Sequence, residues 1–183
     1  MGPDSIQHIA MNLNGLSWPT KHLHASTRNG STWGYVIYRT TYTPYSNAAF
    51  LRLIDLLNSY MKHGLYSECS SENNTPMDTD LTLHHEIWAQ HHSIIMNNPK
   101  FDGASIDSIR AHFQRWVDVQ EYQGHCTQYR MCMVIDEESL QTLLDAPPPQ
   151  EGSDEKVIDP VRHVKVVRLL PDSEDEFDGF LGG

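Results

Sequence analysis

Residues 33–42 read Trp33-Gly34-Tyr35-Val36-Ile37-Tyr38-Arg39-Thr40-Thr41-Tyr42, a run of aromatic and β-branched side chains broken only by Gly34. Such side chains fit a pleated, half-buried surface, so the run predicts a strand. Alternation places Trp33, Tyr35, Ile37, Arg39 and Thr41 on one face and Gly34, Val36, Tyr38, Thr40 and Tyr42 on the other.

Thr43-Pro44 then supplies a capping hydroxyl and a first-turn proline, and Phe50, Leu53, Ile54, Leu57 and Met61 recur at helical steps. This predicts a helix stopped by Gly64, followed by a polar loop over 65–79. Between Leu81 and Met96, His84, Ile87, Trp88, His91, Ile94 and Ile95 share a helical face, and Asn97-Asn98-Pro99 provides a stop. Ser105 opens a further helix whose stripe is Ile106, Ile109, Phe113, Trp116 and Val117, ending near Glu121.

A second strand is expected over Tyr129–Ile135, a short helix capped by Asp136 after it, and a last strand over Val161–Leu170. The expected class is α+β, a small, mostly antiparallel sheet covered by helices. A ferredoxin-like split βαβ arrangement is the nearest simple topology. Three strands are visible; a fourth would come from residues 1–30, from 81–96 or from a partner chain. Residues 1–30 read as a flexible arm, 31–170 as one α+β domain, and 171–183 as an acidic disordered tail.

The chain has 183 residues, enough for one core, and its 24 acidic and 13 basic residues give a net charge of −11. Nucleic-acid affinity rests on Lys and Arg contacts, so a nucleic-acid partner is not expected. No apolar run approaches the length of a membrane helix, and the N-terminus has no basic segment before an apolar one. Ser5 stands one place too early for the myristoylation pattern. Three irregularly spaced cysteines, Cys69, Cys126 and Cys132, fit reduced thiols in the cytoplasm or nucleus. The Asn29 and Asn73 sequons are accordingly read as unused.

WGYVIYRTTY at 33–42, FDGASIDSIRAHFQRW at 101–116 and YRMCMVIDEESL at 129–140 resemble a group of filamentous-fungal proteins of unassigned function. The resemblance spans roughly residues 32–145. It implies a fungal, intracellular protein and no particular activity.

Eleven histidines include the pairs His84-His85 and His91-His92. On one helix the pairs would stand about 10 Å apart along the axis, too far for a single ion. Metal would require one pair plus His63, His112 or His125, and the H-E-x-x-H pattern is absent. No metal and no cofactor are expected. His125-Cys126 is not a nucleophile–base arrangement, and Cys132 reads as a small buried hydrophobe. Gly103-Ala104-Ser105 lacks the closing glycine of a hydrolase elbow, and no phosphate-cradling glycine loop occurs.

Two functions are weighed. The first is a non-enzymatic protein-interaction module, self-associating as a dimer through a sheet edge, with Phe177, Phe180 and Leu181 of the acidic tail as contact residues. The alternative is a cofactor-free enzyme or small-molecule-binding protein whose pocket is lined by Tyr38, Arg39, Tyr42, His112 and Arg130. There His112 would be the general base, with Arg39 or Arg130 stabilising an anion.

Overall fold

The computed structural model describes residues 17–28, 30–67, 81–120, 127–145 and 163–169. Within them the elements are α1 (Trp18–Thr27), β1 (Val36–Arg39), α2 (Pro44–Ser67), α3 (Thr82–Ala89), β2 (Ile94–Met96), α4 (Ile106–Asp118), β3 (Met131–Ile135), α5 (Glu137–Leu144) and β4 (Lys165–Arg168). Cys69, Cys126, His125 and the tail residues Phe177, Phe180 and Leu181 lie outside the described residues.

The expected α+β class stands, but the sheet is mixed rather than mostly antiparallel. Its order is β2-β1-β3-β4, with β1 parallel to both neighbours and β4 antiparallel to β3. A ferredoxin-like sheet alternates antiparallel neighbours, so that expectation gives way. The cause is the buried run at 36–39: all four residues are buried, which suits a central strand covered by helices on both faces.

Alternation along β1 then assigns the layers. Val36 and Tyr38 join Phe101, Ile109, Phe113, Val117, Cys132, Val134 and Val167 on the α4 face. Ile37 and Ile135 face the other way, onto Phe50, Leu53 and Leu57 of α2 and Leu140, Leu143 and Leu144 of α5. Each fully buried side chain of this size contributes roughly 1.5–3 kcal/mol.

Three helix starts follow their sequence signals. Thr43 Oγ1 accepts from Ser46 N at 3.1 Å, Ser105 Oγ from Ser108 N at 3.2 Å, and Asp136 Oδ1 from Ser139 N at 2.9 Å. Gly64 does not end α2, which runs on to Ser67. Leu65, in that last turn, buries against Trp33, Leu83 and Ile87, which offsets the roughly 1 kcal/mol cost of a helical glycine.

The single helix expected over 81–96 is instead a helix and a strand. α3 stops at Ala89, and Ile94-Ile95-Met96 pairs with Val36-Ile37-Tyr38. Ladder pairing of two isoleucines to a buried strand outweighs the helical periodicity. This supplies the fourth strand. The loose arm expected over 1–30 fails for Trp18–Thr27, a helix capped by Ser17 that buries Thr20 and Thr27.

Gly34 lets the chain enter β1. A Cβ there would stand 2.4 Å from the His92 carbonyl oxygen, because Trp33 pairs with His91 across this step. Gly103, with φ +63°, has open space around it. Gly34→Ala is therefore expected to lose about 2 kcal/mol or more in urea denaturation, and Gly103→Ala about 1 kcal/mol. Equal losses at the two sites would contradict the close approach at Gly34.

Candidate functional site

The loop leaving β1 leads to α2 on one face, whereas the loop leaving β2 leads to α4 on the other. The carboxyl ends of neighbouring parallel strands whose connections part in this way are, in open α/β sheets, the usual place for a ligand. Arg39, the last residue of β1, sits there at 5% exposure.

Its guanidinium is held by neutral acceptors. Nε donates to the Thr41 carbonyl at 2.8 Å, and Nη2 donates to Ser46 Oγ at 2.9 Å and to Asn47 Oδ1. Nη1 donates to Asn97 Oδ1 at 3.4 Å, a long and weak bond. The charge also lies over the rings of Tyr42 and Phe50, 4.3 and 4.6 Å from their centroids. Among the described residues no carboxylate forms an ion pair with it.

Further polar groups stand at this end of the sheet. Thr41 Oγ1 donates to Glu137 Oε2 at 2.6 Å, and this bond is the main reason the Glu137 carboxyl titrates below its ordinary value. Gly103 N donates to the Thr40 carbonyl at 3.0 Å, tying the loop after β2 to the end of β1. The Tyr42 hydroxyl is buried beside the Asn98 backbone. Burial raises its pKa, Arg39 opposes that rise, and Asp102 adds to it.

The five residues expected to share a pocket do not share one. Tyr38 and His112 come together on the α4 face, hydroxyl to Nδ1 at 2.8 Å, with Phe101 packed edge-on against both rings. Arg39 and Tyr42 come together on the α2 face. The sheet separates the two pairs, as the alternation of residues 38 and 39 requires. Tyr42 departs from that alternation because the strand has already ended at Arg39.

Arg130 is exposed at the amino end of β3. Arg39 is level with Ile135, so five residue steps, about 16 Å, separate Arg130 from it along the sheet. Asn97, Ser46 and Asn47 were not legible as site residues. Asn97 carried a signal, but it read as a helix stop.

No thiol chemistry is set up at Cys132. It is buried as a free thiol, and burial pushes its pKa up to about 12. The histidine pairs are dispersed into packing. His91 stacks on Trp88 at 4.5 Å, His85 Nδ1 meets the Tyr66 hydroxyl at 2.7 Å, and His84 is buried. Among the described residues no three His, Cys, Asp or Glu side chains gather as a metal site. A cleft of about 170 Å³ lies between α1 and the entry to β1, lined chiefly by Trp18, His22, Leu23, Trp33 and Tyr35.

The outer edge of β4 is the second candidate surface. Leu169 N donates to the Arg130 carbonyl at 3.0 Å, which makes Cys132–Val167 and Val134–Lys165 the hydrogen-bonded pairs of this antiparallel ladder. Val166 and Arg168 consequently point their backbone N–H and C=O groups away from β3. Both side chains are exposed, Val166 at 55%. Lys165 is already occupied by Asp136 and Glu138. Burial pushes the Asp136 carboxyl up, but its bonds from Lys165 and Ser139 outweigh this and leave it below its ordinary value.

Comparison with family models, curated proteins and solved structures finds no match. Among the described residues no helix is long and apolar enough to cross a membrane.

His112 and His91 titrate below the ordinary histidine value of 6.5, burial being the main cause for each. The unfolded chain therefore takes up protons first, and stability present above about pH 6.5 is lost as pH falls through the folded values. Urea midpoints at pH 7 and pH 5 are expected to show this loss in the wild type. His112→Gln, which cannot protonate, should show a smaller drop between the two pH values. An equal drop would remove His112 from the account.

Proposed function

We propose that the chain is a non-enzymatic protein-interaction module that self-associates through the outer edge of β4. The observation that carries this reading is the direction of the Val166 and Arg168 backbone groups, which face outward with no partner among the described residues. An open edge of this kind is a template for another strand.

A second copy fits the edge. In a two-fold antiparallel register centred on Val167, Val166 exchanges both backbone bonds with Arg168 of the other copy, and Lys165 stands opposite Leu169. No like charges face each other directly. A four-residue edge buries little area, so the association is weak and concentration-dependent.

The chemistry-bearing side chains support a binding role over catalysis, since they are engaged internally: Tyr38 with His112, Arg39 with four neutral oxygens, and Cys132 as a buried thiol. A reduced thiol and the fungal resemblance of residues 32–145 support an intracellular setting, cytoplasm or nucleus. Phe177, Phe180 and Leu181 are assigned as further contact residues on composition alone.

Sedimentation velocity from low to high micromolar concentration is expected to show a monomer–dimer equilibrium. Val166→Pro removes an outward N–H and no ladder bond, so it should abolish the dimer while preserving the far-ultraviolet circular dichroism. Val166→Lys, which sets a cation opposite Arg168 of the other copy, should do the same. A monomer at every concentration, or a dimer that survives both substitutions, would overturn the proposal.

A further inference from the structure

We infer that a small carboxylate ligand binds the Arg39 guanidinium at the carboxyl ends of β1 and β2, in the place held by the exposed Asn97 side chain. The site is distinct from the β4 edge, and the inference does not depend on self-association.

A buried cation without a counter-ion is costly, and neutral hydrogen bonds recover only part of the lost hydration. Arg39 is 5% exposed and forms no ion pair among the described residues. The nearest carboxylate in the bonding network is Glu137, which reaches the arginine only through Thr41. Asp102 influences Tyr42 without pairing with Arg39.

A guanidinium has five N–H donors, and the four bonds of Arg39 leave one N–H on Nη1 unused. Nη1 also carries the weakest bond, the 3.4 Å contact to Asn97. Asn97 is exposed and stands at the exit of β2, so its amide can swing aside without opening the core. A carboxylate taking that place would receive both Nη1 hydrogens. The Asn97 amide, turned to present its NH₂, is a further donor at the rim.

The ligand class follows from the same count. One guanidinium balances one negative charge in a planar, two-oxygen geometry, which matches a carboxylate. A phosphate dianion carries a second negative charge, which one guanidinium does not balance.

The test uses the full-length chain and sodium acetate as the probe, with chloride and phosphate at matched ionic strength. Acetate is expected to raise the melting temperature above the chloride control and to shift the Arg39 Nε–H resonance. Asn97→Asp builds a carboxylate into the position; it should raise the melting temperature without ligand and erase the acetate response. Asn97→Ala removes the weak bond without adding charge and should keep that response. No acetate-specific shift in the wild type, or a response that survives Asn97→Asp, would overturn the inference. A larger response to phosphate than to acetate would overturn the assigned ligand class.

Discussion

Parallel pairing of β1 with both β2 and β3 is the constraint from which the other features follow. Parallel neighbours cannot be joined by tight turns, so each connection crosses a face of the sheet through a helix. The route from β1 to β2 takes α2 across one face, and the route from β2 to β3 takes α4 across the other. The two exits then diverge, and Arg39 lies at the end of β1 where they part. β4 returns antiparallel after α5, and among the described residues no strand pairs with its outer edge.

The polar groups at this end of the sheet form one connected structure. Arg39 binds the Thr41 carbonyl and the first turn of α2; Thr41 binds Glu137 in the first turn of α5; Asp136 caps that helix and meets Lys165 of β4. Glu137 and Asp136 are also placed where the α5 dipole favours negative charge. Three elements from distant parts of the chain are thereby set in register around the end of β1. The bonds that fix them are charge-assisted at the α5 and β4 end, and directed to neutral oxygens at Arg39.

Much of this was legible in the residues. The α4 stripe from Ser105 and the Asp136 cap follow from local periodicity and capping chemistry and form close to their expected places, whereas the half-buried strand expected over 33–42 is confined to Val36–Arg39 and buried throughout. The segment 81–96 was not legible, because its isoleucines satisfy both a helical stripe and a short strand, and only the neighbouring β1 decides between them. The end of α2 depended similarly on Leu65 finding a distant cluster. Of the residues named for the site, Arg39 lies over the Tyr42 ring, whereas Tyr38 and His112 pair on the opposite face. Alternation within residues 38 and 39 already implied that separation. Asn97 could be identified only once β2 had been placed beside β1.

Amide hydrogen exchange, residue by residue along β4 at two protein concentrations, tests the central claim most directly. The account predicts that Lys165 and Val167, bonded to β3, are protected at both concentrations. It also predicts that Val166 and Arg168 exchange rapidly when dilute and slow markedly when concentrated. Equal and concentration-independent protection across the four amides would contradict both the register of the edge strand and its role as the self-association surface.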